Sequence, residues 1–252
     1  MSRYYRTSYS SIGYPRWGRA VKALIIASVI TFVVQTLTGP LLTYYFGLTP
    51  ADVVQRGYIW QLGSYIFLHA GIMHLLFNML GLWMFGSELE QLWGTREFTR
   101  FFFICGVGAA VIMVLLYLVS GGDSRVTTIG ASGSVYGVLL AFGILFPDRI
   151  IYWIIFPIPA KYLVMILGGI AFFSSLDGSN SGIAHVAHLG GMACGFVYLR
   201  SRGMARRRGP GVLSRIRASY DRWRRDRLRR KFEVYYNRRN PDNDEKWRRW
   251  KN

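Results

Sequence analysis

Long runs without a charged residue dominate the pattern of this chain. The runs cover residues 23–51, 57–87, 101–122, 126–147, 162–176 and 178–199. A helix needs about 20 mostly apolar residues to cross roughly 30 Å of hydrocarbon. The fifth run is shorter and approaches that length only with the aliphatic stem of Lys161. The pattern therefore predicts an all-α fold, a polytopic membrane protein with a bundle of six transmembrane helices.

Charge is concentrated at the C-terminal end of the chain. The 252 residues include 31 Lys and Arg against 13 Asp and Glu, yet charged residues make up only 17% of the total. Residues 201–252 alone hold 19 of the basic residues. We therefore divide the chain into a basic N-terminal segment (1–22), a membrane domain (23–200) and a basic tail (201–252). This segregation excludes a fully soluble enzyme, a disordered chain and a disulfide-stapled secreted domain.

Basic residues also predict how the helices are oriented, because Lys and Arg favour the cytoplasmic side of a membrane. With six crossings, both termini lie on the same side. Placing them in the cytoplasm leaves only Arg56 and Arg125 on the outer side. We therefore expect a multi-pass integral membrane protein of the bacterial inner membrane. The second, fourth and sixth helices would run from the outside to the inside.

Polar residues that are costly to bury in lipid begin these same three helices. The sequences are HAGIMHLLFN, GASGSVYG and GIAHVAHLGG. Their polar side chains are His69, His74, Asn78, Ser132, Ser134, Tyr136, His185 and His188. Ionisable groups inside a membrane are functional candidates. Because the three helices run in one direction, each cluster would lie about 9 Å below the outer surface, which predicts one shared polar site.

Small residues on the fourth and sixth helices indicate how this site forms. Each helix carries a GxxxG pair, which lets two helices approach closely in lipid. The pairs are Gly133 with Gly137 and Gly191 with Gly195. Close approach would bring Ser132 within hydrogen-bond reach of His188, and a serine beside a neutral imidazole is an activated nucleophile. The glycine stripe favours His188 over His185 as the base, and Ser134 lies about 200° around the helix from Ser132.

Other interpretations compete with this one. A GxxxG pair alone is more often a packing device, and a lone serine or histidine can be structural. However, all four histidines fall at the outer ends of two helices, level with a glycine-flanked serine. Four histidines also suggest a metal transporter, but there is no HExxH motif and no carboxylate in the runs that carry them. We therefore expect neither a metal nor another cofactor.

The three motifs resemble the signature blocks of rhomboid intramembrane serine proteases, in the same order and on the corresponding helices. The resemblance covers residues 23–200. It implies a six-helix bundle that hydrolyses peptide bonds of single-pass membrane proteins, within or next to the bilayer. The alternative is a catalytically inert rhomboid-like protein that binds membrane proteins.

The resemblance also implies roles for individual residues. Ser132 would be the nucleophile and His188 the general base. The other assigned residues are His74 and Asn78 at the oxyanion, Tyr136 against His188, and Gly130 and Gly133 in the serine motif. No acidic residue lies in 126–147 or 178–199, so a Ser-His dyad would replace the Ser-His-Asp triad.

Two further positions bear on the resemblance. The first loop of the family often carries a Trp-Arg pair, whereas here Trp60 is followed by Gln61, which leaves the anchoring of this loop open. Glu90 matches a recurrent family position near the inner end of the second helix. We expect Glu90 to be a structural hydrogen-bond partner.

The basic tail combines arginines with apolar residues at roughly helical intervals. These residues are Leu213, Ile216, Tyr220, Trp223, Phe232 and Tyr235. Such a pattern predicts an amphipathic helix that lies on anionic lipid of the inner leaflet. Nucleic acid is the competing polyanion. Because the tail is tethered at the membrane, lipid is nearer, and we expect no nucleic-acid partner.

Overall fold

The computed structural model describes residues 17–120, 126–153, 156–175 and 180–204, and residues 220, 223, 224 and 227 of the tail. Most of this structure is helical. The helices are α1 (Arg19–Thr38), α2 (Pro40–Phe46), α3 (Pro50–Arg56), α4 (Gln61–Ser64), α5 (Ile72–Gly81), α6 (Ser87–Trp93), α7 (Thr95–Ser120), α8 (Ser132–Leu145), α9 (Ala160–Ser175) and α10 (Asn180–Ser201). A 3-10 turn, Tyr65–Phe67, follows α4, and a π-helical turn, Leu82–Gly86, joins α5 to α6.

Helices of membrane-spanning length confirm that this is a polytopic membrane protein. Among the described residues, Arg19–Thr38, Ile72–Trp93 and Thr95–Val119 are long and apolar enough to cross a bilayer. The helices α8 and α9 are also apolar but have only 14 and 16 residues. The count of six crossings therefore stays a prediction.

The first uncharged run does not form one continuous helix. The helix α1 ends at Thr38, and Gly39 has φ 64° and ψ −144°, a conformation that residues with a side chain rarely adopt. Pro40 then begins α2, because a proline is tolerated at the first position of a helix but not inside one. The uncharged run 23–51 is thus divided between separate helices, since absence of charge does not reveal a backbone break.

A short antiparallel hairpin follows α8 and departs from the all-α prediction. Its strands are β1 (Ile150–Trp153) and β2 (Phe156–Pro159). Ile151 pairs with Ile158 and is buried against the core, whereas Tyr152 is exposed. The β-branched and aromatic residues of this segment favour a strand. The pattern of uncharged runs contains no information about this preference. Apart from this hairpin and a single bridge between Leu48 and Thr128, the described residues are helical or lie in turns and loops.

The helix α8 lies at the centre of the bundle and packs against α7, α9 and α10. A Cβ atom built on Gly191 of α10 would collide with the backbone carbonyl of Gly133 on α8. A Cβ atom on Gly137 would lie 3.0 Å from the carbonyl oxygen of Gly191. The predicted close contact between the two GxxxG pairs is therefore confirmed.

Polar side chains fix α1 and the first loop to the bundle. The buried carboxylate of Glu90 accepts hydrogen bonds from the backbone N–H groups of Ala20 (2.9 Å) and Val21 (3.0 Å), and so caps the start of α1. This is the structural role expected for Glu90. In the loop, buried Gln61 accepts a hydrogen bond from the N–H of Thr49 (3.0 Å), so it supplies the anchoring that the missing Trp-Arg pair left open.

The predicted tail lies largely outside the described residues. The chain divides into two units, Met1–Ala205 and Arg206–Asn252. In the second unit, Tyr220, Trp223, Arg224 and Arg227 are helical. The rings of Tyr220 and Trp223 are both exposed, and the Arg227 guanidinium lies 5.0 Å from the centroid of the Trp223 ring. Most of the predicted N-terminal segment, residues 1–16, also lies outside the described structure.

Candidate active site

A hydrogen bond joins the first residue of α8 to a histidine of α10. The Oγ atom of Ser132 lies 2.8 Å from Nε2 of His188. Both side chains are half-buried, so the pair is accessible from one side. A neutral imidazole that accepts the hydroxyl proton raises the nucleophilicity of the serine oxygen. The close contact of α8 with α10 at Gly133 and Gly191 makes this distance possible.

Gly130 shapes the backbone immediately before Ser132. Its φ is 127°, a value that residues with a side chain rarely adopt. Its N–H donates to the carbonyl of Tyr65 at 2.9 Å, which fixes the position of the segment. A Cβ atom at Gly130 would lie 2.7 Å from Cε1 and 2.9 Å from Nε2 of His74. The glycine therefore lets the ring of His74 pack directly against the backbone that leads to Ser132.

Hydrogen bonds at the start of α5 orient His74 and Asn78. The backbone N–H of Ala70 donates to Nδ1 of His74 at 3.3 Å. The proton of the neutral ring is then on Nε2, the atom that faces Gly130. The buried amide of Asn78 donates one hydrogen to the carbonyl of His74 at 2.8 Å, within the same helix. Its second N–H finds no acceptor among the described residues and is available as a donor.

The ring of Tyr136 stacks on His188. The two ring centroids lie 4.2 Å apart and the planes differ by 3°. Tyr136 is one helical turn after Ser132 on α8, so a single helix presents both the hydroxyl and the stacking surface. The stack restricts rotation of the imidazole about its side-chain bonds and keeps Nε2 directed at Ser132.

The other polar candidates lie elsewhere around this pair. Ser134 is fully buried, and its hydroxyl faces Gly106 of α7. His185 packs edge-on against His188, with ring centroids 5.5 Å apart. His69 is buried and packs against His74, with centroids 5.2 Å apart. Of the polar candidates, Ser132 and His188 thus form the hydrogen-bonded pair. His185 contacts this pair through His188, and His69 contacts His74.

A contact from α1 was missed by the sequence analysis. The side-chain amide of Gln35 accepts from the backbone N–H of His69 (3.1 Å) and donates to the carbonyl of the same residue (3.0 Å). Gln35 is the one side-chain amide in the uncharged run 23–51, which is the signal that could have identified it. The first helix therefore fixes the backbone five residues before His74.

No group of three or more His, Cys, Asp or Glu side chains among the described residues is arranged to hold a metal ion. The polar atoms at the site are hydroxyl, imidazole and amide groups. These groups can donate and accept protons and can stabilise negative charge.

The fold and the site define a helical, polytopic membrane protein with a serine–histidine pair between two of its helices, α8 and α10. A family model described as the rhomboid domain matches residues 56–203, more than half of the sequence. The chain belongs to the rhomboid family.

Three relatives illustrate this membership. RHOMBOID-like protein 5 of Arabidopsis thaliana is 29% identical over 156 residues, which are 60% of this chain and 46% of the relative. Rhomboid protein 1, mitochondrial, of Saccharomyces cerevisiae is 31% identical over 154 residues (58% and 43%). Rhomboid protease GluP of Bacillus subtilis is 28% identical over 161 residues (63% and 29%). The matches span less than half of each of these relatives, and one of the three is named as a protease.

Proposed function

We propose that this protein is an intramembrane serine endopeptidase that hydrolyses peptide bonds of single-pass membrane proteins, within or next to the bilayer. The observation that carries the proposal is the hydrogen bond of 2.8 Å between Ser132 Oγ and His188 Nε2. The stack of Tyr136 on His188 supports it, because an oriented base is what a serine nucleophile needs.

The chemistry follows from this pair. As Oγ of Ser132 attacks the scissile carbonyl carbon, its proton moves to Nε2 of His188. The same proton then passes to the leaving amine, the C–N bond breaks and an acyl-enzyme remains. A water molecule, deprotonated by His188, hydrolyses the ester and restores the hydroxyl of Ser132. No cofactor takes part in these steps.

Three groups of donors support an oxyanion site beside Ser132. The first N–H groups of α8 have no partner within the helix and lie at the positive end of its dipole. The Nε2–H group of His74 packs against the backbone of Gly130, and Asn78 retains one free amide hydrogen. Donors directed at a developing oxyanion stabilise the tetrahedral intermediate, and loss of one typically costs about 10²- to 10³-fold in rate.

The length of α8 bears on how a substrate reaches Ser132. The helix α8 has 14 residues and extends about 21 Å, less than the roughly 30 Å of the hydrocarbon core. With its C-terminal end at the inner side of the membrane, Ser132 at its start lies beneath the outer surface. A substrate helix must unwind there, because its scissile carbonyls are otherwise hydrogen-bonded. The resemblance to the family further implies small side chains at the cut.

The charge distribution supports an orientation and a location. We infer that both termini lie in the cytoplasm, that the site faces the outer side, and that the membrane is the bacterial inner membrane. We further propose that the basic tail binds anionic lipid, since Tyr220 and Trp223 are exposed beside Arg224 and Arg227.

Cleavage of defined substrates tests the proposal. The purified protein is reconstituted in lipid with a panel of single-pass membrane proteins, and mass spectrometry identifies the fragments. Wild type and Ser134→Ala should produce the same fragments, whereas Ser132→Ala should produce none. Binding of the panel without fragments from any variant would instead identify an inert binding protein.

A further inference from the structure

A side-chain amide from α1 holds the backbone that precedes α5. The amide oxygen of Gln35 accepts the backbone N–H of His69 at 3.1 Å, and the amide nitrogen donates to the carbonyl of His69 at 3.0 Å. His69 lies in the segment between the 3-10 turn and α5, where neither element provides a partner for these two backbone groups. Backbone groups shielded from water need hydrogen-bond partners. The amide of Gln35 therefore stabilises one conformation of this segment.

The same amide has a third partner on α2. Its nitrogen donates a second hydrogen bond, of 3.2 Å, to Oγ1 of Thr43. Both N–H groups and the oxygen of Gln35 thus have partners, and the N–H of His69 determines which end of the amide is the oxygen. The amide is fixed by α2 on one side and by the backbone of His69 on the other.

The carbonyl of His69 and the N–H of Ala70 belong to the same peptide group. A peptide group is planar, so a hydrogen bond that fixes its carbonyl also fixes the direction of its N–H. This N–H donates to Nδ1 of His74 at 3.3 Å. The ring of His74 reaches back to the backbone before its own helix, as the third residue of a helix does in a capping box. Hydrogen bonds therefore connect α1 to the imidazole that packs against Gly130.

We propose that Gln35 is a positioning residue that acts through His74. By orienting the peptide group between His69 and Ala70, it keeps Nδ1 of His74 as an acceptor, so the proton of the neutral ring stays on Nε2. The Nε2–H group is then the donor available to the oxyanion beside Ser132. The inference rests on the proposed protease function.

One substitution measured in two backgrounds separates this role from simple packing. Gln35→Leu fills a similar volume and removes all three hydrogen bonds. In the wild-type background we expect about a tenfold loss of kcat at unchanged KM, less than the roughly 10²- to 10³-fold expected when the His74 donor is lost altogether. In the His74→Ala background the same substitution should cost less than about twofold, because no imidazole remains to be oriented. A purely structural effect would instead lower kcat by the same factor in both backgrounds.

Gln55→Leu is the matched control. It removes an exposed side-chain amide of α3 that bonds the hydroxyl of Tyr117 at 3.1 Å. This variant should keep kcat within about twofold in both backgrounds, as surface substitutions usually do. Exhaustive labelling of Ser132 with a fluorophosphonate counts the folded sites, so kcat is compared per active site even if a variant is partly unfolded.

Nitrogen NMR of isotope-labelled histidine provides a readout that does not depend on cleavage. The resonances of His74 are identified by their loss in His74→Ala. In wild type and in Gln55→Leu, the neutral ring of His74 should carry its proton on Nε2, with Nδ1 as a hydrogen-bonded acceptor. In Gln35→Leu the ring should become a mixture of the two tautomers, because the N–H of Ala70 is no longer held in place.

The outcomes distinguish the inference from the function on which it rests. If Gln35→Leu keeps the wild-type kcat, loses the same factor in both backgrounds, or leaves the tautomer of His74 unchanged, the positioning role is refuted while the protease function stands. If wild type cleaves no faster than Ser132→Ala, the protease function itself fails, and the tautomer alone decides whether Gln35 orients His74. A loss confined to the wild-type background, together with the change of tautomer, supports the proposal.

Discussion

The phenol ring of Tyr136 and the imidazole of His188 lie parallel, with their centroids 4.2 Å apart. One face of the base is therefore in contact with an aromatic ring from the same helix as the nucleophile. Contacts of this kind contribute about 0.5–1.5 kcal/mol beyond the area that they bury.

Substitution of Tyr136 should lower activity when the aromatic ring is lost, and not when only the hydroxyl is lost. We expect Tyr136→Phe to keep kcat within about threefold, because the stack persists. Tyr136→Leu should lose about tenfold or more, because the imidazole is free to rotate. Steady-state cleavage of a single-pass substrate measures both. Equal losses in the two variants would show that the hydroxyl, and not the stack, supports His188.

The contact between α8 and α10 should not tolerate a methyl group. In Gly191→Ala the added Cβ atom meets the carbonyl of Gly133, so the helices must separate and Ser132 must move away from His188. We expect at least a 100-fold loss of cleavage and a destabilisation of about 1–3 kcal/mol. Gly169→Ala on α9 is the matched control, because a Cβ atom at Gly169 meets nothing within 4 Å. Similar behaviour of the two variants would contradict the packing argument.

Substitution of Gly130 should lower both the stability and the activity of the protein. Gly130→Ala combines backbone strain at φ 127° with a clash against the ring of His74. Gly57→Ala, at φ 71°, has backbone strain but no atom within 4 Å of the new Cβ. Gly57→Ala should lose about 1–2 kcal/mol of stability, the usual cost of a side chain in the left-handed helical conformation. Gly130→Ala should lose more, because φ 127° lies outside that region. Only Gly130→Ala should lose activity, by about 10²-fold, if His74 stabilises the oxyanion.

Much of the fold could be predicted from the absence of charge, but the breaks in the helices could not. The uncharged runs overlap α1, α5 to α6, and α7 to α10, since burying a charge in lipid is costly. The break at Gly39–Pro40 depends on local backbone geometry and does not change the hydrophobicity of its run. The hairpin at 150–159 depends on strand pairing and lies between two of the runs, so the charge pattern did not reveal it.

The site, too, could be predicted only in part from the sequence. Spacing along a helix predicts which side chains share a stripe, as with Ser132 and Tyr136 on α8. The rotation and depth of one helix relative to another are set by packing, here at Gly133 and Gly191. The contact of Gln35 with His69 joins residues 34 positions apart, and no local spacing reports it.

Removal of the Glu90 carboxylate should weaken the bundle without changing the chemistry. Glu90→Ala leaves two backbone N–H groups of α1 without their acceptor, and we expect a loss of about 1–3 kcal/mol in unfolding free energy. Glu88→Ala breaks only a partly exposed ion pair with Arg149 and should cost less than about 1 kcal/mol. Unfolding in mild detergent measures both values. A larger loss for Glu88→Ala would contradict the capping role of Glu90.

Identification of the residue that reacts covalently with a serine-directed reagent tests the central claim most directly. The protein is treated in lipid with a fluorophosphonate, and peptide mass spectrometry locates the adduct. We expect an adduct on Ser132 in wild type and in Ser134→Ala, and none in Ser132→Ala or His188→Ala. An adduct on another residue, or labelling that persists unchanged in Ser132→Ala, would contradict the assignment of a Ser132–His188 dyad.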